Sequence, residues 1–392
     1  MARKQASGRP DRPDDPANET AAPDLDPAWI ARIRRDLVAW YRSAGRPLPW
    51  RETRDPYRIL VSEMMLVQTM VAAVIPYYAR FLALFPDAAA LAGADDAAVL
   101  KAWEGLGYYR RARQLHAAAR AIMAEHSGAF PTDPAAIRAL PGVGRYIAGA
   151  VGSFAFDQAA PIVEANTQRV LARWLAWPEE LTTARSQARL WGAAARLVPD
   201  AGAGAGEFNQ AFMDLGALIC VPRTPLCLAC PVNAECLARR EGRQDRLPVV
   251  RAKAPPKEVA EACALISREG RYLILRRGPG RLWEHFWEFP TLHMAGADPA
   301  GRGPNSGAMG PAARFEELTG VRVGLGPVAT TVRFGVTTHR VALDVHRGSD
   351  LGGGPTPHPG WAEAAWVAPD RLRDHPMSAA TRRVVAWLLA HE

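Results

Sequence analysis

Two folded domains of different class are expected from this sequence, an all-α domain followed by a smaller α+β domain. Apolar side chains recur at three- and four-residue spacing from about Ala28 to Arg239, and beyond about residue 258 short apolar runs bounded by turn residues replace them. A basic, proline-containing stretch separates the two patterns. A chain of 392 residues, 48% hydrophobic and 22% charged, is long enough to bury two ordinary cores. No uninterrupted apolar run approaches the roughly eighteen residues of a membrane span, so no membrane partner is expected.

Taken in order, residues 1–27 hold five prolines, many charges and almost no large apolar side chains, and are expected to stay a disordered tail. Residues 28–239 form the helical domain, broken at Pro86, Pro131 and Pro141. Residues 240–257 lie in a linker, since the stretch 237–258 carries seven Arg or Lys against three Asp or Glu, with Pro248, Pro255 and Pro256. The α+β domain spans 258–392. Ala262–Ser267 and Tyr272–Arg276 flank Arg268-Glu-Gly-Arg271 as a β-hairpin, Val328–Phe334 and Arg340–His346 are further strands, and the Gly-, Ala- and Pro-rich stretch 295–311 is an irregular loop.

Near the end of the helical domain stands a cysteine array, Cys220, Cys227, Cys230 and Cys236, with only Cys263 elsewhere. No secretory segment opens the chain, so a reducing cytoplasm is expected and a disulfide framework is not. Structural zinc sites commonly pair two Cys-x2-Cys knuckles, whereas one knuckle here has a longer arm on each side. Four thiolates converging from one short loop suit an iron-sulfur cube better than zinc, with incidental buried thiols as the remaining reading. The formal net charge of +8 favours a polyanionic partner without identifying one. Leu140-Pro-Gly-Val-Gly-Arg-Tyr146 sets Gly142 and Gly144 where a tight turn can expose main-chain amides at the start of the next helix, either a phosphate site or an ordinary helix-helix turn.

A helix-hairpin-helix of this sequence followed by a cysteine loop of this spacing resembles the endonuclease III superfamily of DNA glycosylases. Leu48-Pro-Trp-Arg51, Asp55-Pro-Tyr57, Ser62-Glu-Met-Met-Leu66 with Gln68-Thr69, Gly105-Leu-Gly-Tyr-Tyr109, Phe208-Asn-Gln210 and Asp214-Leu-Gly216 narrow the resemblance to the adenine DNA glycosylase, or MutY, family, over nearly the whole chain from about residue 28. It implies a helix-hairpin-helix glycosylase domain with a 4Fe-4S cluster on the four cysteines, then a Nudix-like domain. The activity it implies is monofunctional hydrolysis of the N-glycosidic bond of adenine mispaired with 8-oxoguanine or guanine, in base-excision repair. A monomer associated with the nucleoid is expected. An endonuclease III-like enzyme acting on damaged pyrimidines is the competing enzyme, and a lesion-binding protein the non-enzymatic alternative.

The resemblance assigns Glu63 as general acid, and the residues agree: Ile59–Ile75 is otherwise largely apolar, and a carboxyl there resists ionisation and can deliver a proton to a purine ring nitrogen. Positive charge then builds on the sugar and calls for a second carboxylate. Where the family has aspartate this chain has Glu164, one methylene longer, with Asn166 matching the adjacent asparagine. Tyr146 stands where bifunctional relatives carry a Schiff-base lysine, and tyrosine cannot form that bond. Gln68 and Tyr108 match residues that invade the base stack once the target is flipped out. Trp50, Arg51, Leu66 and Gln210 match those lining the adenine pocket. Arg110, Arg111 and Arg113 are candidate phosphate ligands, or a solvated helix face. Gly280–Trp283 and Trp287–Pro290 resemble a Nudix-like lesion-recognition module, but Arg314–Gly320 lacks the glutamates that would hold Mg²⁺ for hydrolysis. In place of the family's Phe-Ser-His recognition loop stand Val336, Thr337 and Thr338, with His339 one place later.

Overall fold

The computed structural model describes residues 24–251, 254–280, 283–295, 310–356 and 358–392. The expected disordered tail therefore lies outside the described residues except for its last four, and the expected loop 295–311 lies outside them except at its ends. The chain forms two compact units, Met1–Gly93 with Gln114–Ala252 and Ala94–Arg113 with Lys253–Glu392. The helical text is divided between them, because Ala94–Arg113 groups with the C-terminal residues. None of the described helices is long and apolar enough to cross a membrane.

The helices run α1 Pro27–Ala44, α2 Pro56–Leu66, α3 Val71–Leu84, α4 Ala88–Ala92, α5 Asp96–Ala102, α6 Arg110–Glu125, α7 Pro134–Ala139, α8 Arg145–Phe156, α9 Ala165–Trp174, α10 Ala184–Leu197, α11 Ala205–Asp214 and α12 Leu237–Arg240. Local chemistry sets their starts. Asp26, Asp55 and Asp133 cap α1, α2 and α7 through their side chains, each just before a proline whose missing N–H is no loss in a first helical turn. The core of the first unit gathers Ile33 and Leu37 of α1, Val170, Leu171 and Trp174 of α9, Leu190 and Leu197 of α10, and Phe208 and Phe212 of α11. Trp174 stacks on Phe212 at 5.2 Å and meets Trp29 edge-on at 6.3 Å. The stretch read as a linker also packs: Leu237–Arg240 is helical, and Ala238 and Leu247 join this core. Two apolar side chains among many charges were enough to bury.

In the second unit, β1 (Lys257–Arg268), β2 (Arg271–Arg277), β3 (Trp287–Glu288), β4 (Thr291–Ala295), β5 (Val321–Val336), β6 (His339–Gly353) and β7 (Trp361–Val367) make one mixed sheet. The expected hairpin is β1–β2, paired Ser267 to Tyr272 and Arg268 to Arg271, with Glu269 and Gly270 both at positive φ in the turn. The longest partnership was not legible in sequence: β1 runs parallel to β6 from Lys257–His339 to Ser267–Ser349. Both faces of β1 are covered. Ala262, Ala264 and Ile266 join Phe315 of α13 (Pro311–Thr319), while Cys263 and Leu265 join Val384, Val385 and Leu388 of α14 (Ala379–Leu389). This accounts for the uninterrupted apolar run where a one-faced strand would alternate.

One close approach shapes the first unit. After Asp214 the backbone makes a π-turn, Leu215–Ile219, and Gly216 there lies so near the start of α9 that a Cβ would stand 2.7 Å from Asn166 Cβ and 3.1 Å from its carbonyl oxygen. Gly216→Ala should therefore lower stability by about 1–3 kcal/mol, read as a reduced denaturant midpoint at unchanged slope.

Candidate active site

Glu63 lies on α2 where residues 59–65 are buried all round the helix, and only 2% of its surface is accessible. Its Oε2 accepts a 2.7 Å hydrogen bond from the hydroxyl of Tyr146, which also lies 3.9 Å from the sulfur of Met213. Burial pushes the Glu63 carboxyl up to about 7; the Tyr146 hydrogen bond and the charge of Arg51 oppose the rise and Glu164 adds to it. Tyr146 is itself raised well above an ordinary tyrosine, by burial and then by Glu63 and Glu164. The turn before α8 delivers this tyrosine. Gly142 sits at φ +76°, and a Cβ there would lie 2.5 Å from Gln114 Cβ and 3.0 Å from Met64 Cε. Gly144 caps α8 without a side-chain bond and is exposed.

Glu164 is the N-cap of α9. Its carboxylate accepts from the main-chain N–H of Asn166 at 2.9 Å and of Thr167 at 3.0 Å, and from the Asn166 amide at 3.3 Å, while Thr167 Oγ1 accepts from the Glu164 N–H at 2.8 Å. The extra methylene thus folds back into a reciprocal capping box. Burial raises the Glu164 carboxyl, against the two amides and Arg169. Asn166 in turn accepts from Arg169 at 2.8 Å, and Arg169 also donates to the carbonyls of Gly216 and Cys220, each at 2.7 Å.

Arg51 does not neutralise Glu63. With a side chain 9% exposed, it pairs with the fully buried Asp214 at 2.7 Å, beside Arg46, and lies over the ring of Tyr41. Burial alone would raise the Asp214 carboxyl, but the Arg51 and Arg46 guanidiniums hold it below the usual carboxylate range. Tyr41 donates to Gln210 Oε1 at 2.6 Å, and Trp50 is buried edge-on to Tyr78. Leu66 ends α2 half-buried. Sequence reasoning gave no role to Tyr41, Arg46, Met213, Thr167 or Arg169. The signal available was Asp214 itself, an acid in an otherwise apolar helix end.

Gln68 is exposed at φ +58° and Tyr108 is 56% exposed at φ +47°, a conformation that non-glycine residues hold only where the surroundings impose it. Tyr108 belongs to the second unit, as do Thr337, at φ +52°, Thr338 and His339, which lie at the β5–β6 turn. The three arginines after Tyr109 do not share one solvated face. Arg110 is exposed, but Arg111 is buried against Trp103 and Tyr108, where desolvation pushes it down to about 10, and Arg113 donates to the Glu284 carbonyl at 2.9 Å. A helix turns by about 100° per residue, so adjacent arginines cannot all face outward.

Cys220, Cys227, Cys230 and Cys236 line one cavity with Arg173, Trp174, Ile219, Pro225, Asn233, Arg239 and Gln244. All four thiols are free of disulfides. Arg173 donates to Cys220 Sγ at 3.2 Å and to the carbonyls of Val221 and Pro222. Trp29 and Arg32 of α1 hold Glu235 on the far side of the loop. Burial pushes the Cys230 thiol up to about 12 and raises Cys220 and Cys236 as well. Among the described residues no group of three or more His, Cys, Asp or Glu could hold a single metal ion.

The chain matches two family models: HhH-GPD superfamily base excision DNA repair protein over residues 61–196, and NUDIX domain over residues 261–387. The class is therefore a helix-hairpin-helix base-excision protein with a C-terminal Nudix-like domain. Adenine DNA glycosylase of Rattus norvegicus is 41% identical over 253 residues, 62% of this chain and 48% of that protein. The human enzyme is 34% identical over 321 residues, 68% of this chain and 58% of that protein. The enzyme of Buchnera aphidicola (strain Sg) is 33% identical over 257 residues, 65% of this chain and 74% of that protein. The chain belongs to the adenine DNA glycosylase family. It spans about half the length of its rat and mouse relatives.

Tyr146→Phe tests the electrostatics of the pair. Removing a hydrogen bond that favours the ionised carboxylate should move the Glu63 pKa upward from about 7, followed by carbon NMR of labelled glutamate carboxyls.

Proposed function

We propose that this protein is a monofunctional adenine DNA glycosylase that hydrolyses the N-glycosidic bond of adenine mispaired with 8-oxoguanine or guanine in double-stranded DNA, and that it acts as a monomer. The observation that carries this reading is the pair of buried carboxyls, Glu63 raised to about 7 and Glu164 also raised by burial but opposed by two main-chain N–H bonds. Glu63 keeps its proton near neutrality and gives it to a ring nitrogen of the flipped base. Tyr146 orients that carboxyl through its hydroxyl. Glu164, its position fixed by Asn166 and Thr167, offsets the positive charge that develops on the sugar, and water completes the hydrolysis. No lysine stands at position 146, which supports the monofunctional reading. Trp50, Arg51, Leu66 and Gln210 are assigned to the adenine pocket, Gln68 and Tyr108 to the invaded stack, the amides at Gly142–Gly144 to a phosphate, and Thr337, Thr338 and His339 to the opposite base. A nucleoid location follows from such a substrate.

The cluster assignment rests on the donor set. Four disulfide-free thiols that line one cavity and come from one short loop suit a 4Fe-4S cluster, in which each iron would take one cysteine. Buried thiols so reluctant to ionise need a strong positive partner to become ligands. Cys220, Cys227, Cys230 and Cys236 would hold it, and its contribution is to the shape of the loop around Arg223 rather than to bond cleavage. Anaerobically purified protein should be yellow-brown with about four irons per chain; stoichiometric zinc without iron would contradict the assignment.

Single-turnover cleavage of an adenine:8-oxoguanine duplex, with thymine-glycol DNA as control, tests the function. Glu63→Gln should keep mismatch binding but lose roughly a hundred- to ten-thousandfold in excision. For the wild type, the proton-bearing form of Glu63 dominates below its pKa, so the excision rate should fall as pH rises through about 7. A rate that increases through that range would assign the acid to another group.

A further inference from the structure

The segment Ala94–Arg113 is bound along its length by the C-terminal residues with which it forms one unit. Glu104, just after α5, accepts from the guanidinium of Arg382 on α14 and from the main-chain N–H of Met377 at 3.2 Å, and pairs with Lys101 at 3.0 Å. Lys101 donates in turn to the carbonyl of Arg373. At the other end of the segment, the Tyr109 ring lies 4.2 Å from that of Phe286 and Arg113 bonds the Glu284 carbonyl. The loop Gly105–Tyr109 hangs between these anchors. It is closed on itself by the Trp103 indole donating to the Gly107 carbonyl at 3.1 Å and by the Gly105 N–H donating to the Tyr109 hydroxyl at 3.2 Å. Gly105, Gly107 and Tyr108 all have positive φ, and Tyr108 projects from the loop with Arg111 against its ring at 5.2 Å. An exposed aromatic in a left-handed conformation holds its direction only if the surrounding backbone is fixed.

We propose that Glu104 is a positioning residue whose ion pair with Arg382 clamps the Gly105–Tyr109 loop onto the C-terminal unit, so that this unit, and not the helical unit, sets how Tyr108 is presented to the DNA stack. The consequence is that reading the opposite base and the share of stack invasion assigned to Tyr108 fall to one body, whereas Gln68 belongs to the helical unit. The role of Tyr108 in this proposal rests on the glycosylase reading above, whereas the clamp itself is a property of the free protein.

The experiment uses the full chain. In the absence of DNA, amide exchange at residues 105–109 should accelerate about tenfold in Glu104→Gln and in Arg382→Gln, and no further in the double variant, since each removes the same ion pair. Glu104→Asp, which keeps the charge with a shorter reach, should restore much of the protection. With 2-aminopurine in place of the target adenine opposite 8-oxoguanine, the fluorescence change reporting base extrusion should slow about tenfold in the Gln variants while duplex affinity changes less than about threefold, a split that a general loss of stability would not produce. Wild-type exchange at 105–109 in Glu104→Gln, or additive effects in the double variant, overturns the clamp. Accelerated exchange with wild-type extrusion overturns its role in presenting Tyr108. A wild-type chain that excises no adenine overturns the glycosylase reading and with it the role of Tyr108, and the clamp then stands or falls on the exchange result alone.

Discussion

A carboxyl group with 2% of its surface accessible must either be neutralised by a cation or keep its proton, and the first unit is arranged so that Glu63 keeps its proton. The nearby cation is Arg51. Asp214, fully buried, binds Arg51 and Arg46 and so holds that positive charge 2.7 Å from its own oxygen, and Arg51 acts on Glu63 only through its field. The immediate partner of Glu63 is instead a neutral hydroxyl, Tyr146. The Gly142 turn, which no larger residue can occupy, places that hydroxyl at the start of α8. Removing Asp214 would therefore alter the acid without touching it.

The second carboxyl is also raised by burial, but the contacts that oppose the rise are main-chain amides rather than a hydroxyl. Glu164 is stabilised as an anion by the first amides of α9, where the helix dipole also favours negative charge. The same ten-residue helix carries Arg169 and Arg173, whose guanidiniums bond the carbonyl of Cys220 and its neighbours. One rigid element thus has Glu164 at its start and the wall of the cysteine-lined cavity at its end. Gly216, pressed against Asn166, holds the π-turn that makes the arrangement fit.

The second unit combines a strand pattern buried on both faces with a helical segment taken from the middle of the first half of the chain. Covering β1 with α13 on one side and α14 on the other leaves α14 free to present Arg382 to Glu104. The two threonines at the β5–β6 turn and the exposed Tyr108 are then parts of the same packed body.

Much of this was legible from local pattern. The switch from helical spacing to strand runs, the hairpin around Glu269-Gly270, the four-cysteine loop and the lone glutamate in the apolar run 59–75 each follow from residue chemistry over a few neighbours. Tertiary structure alone decided which groups meet. Glu63 and Tyr146 are 83 residues apart, and Arg51 and Asp214 are 163 apart. That Arg111 turns inward while Arg110 faces water is a matter of one helical step, which spacing does not orient without knowing where the neighbours lie. Nor does any local signal in Ala94–Arg113 tell which of two cores it will join. Sequence period fixes which face of an element is apolar; packing selects the partner for that face, and with it whether a buried acid meets an arginine or a hydroxyl.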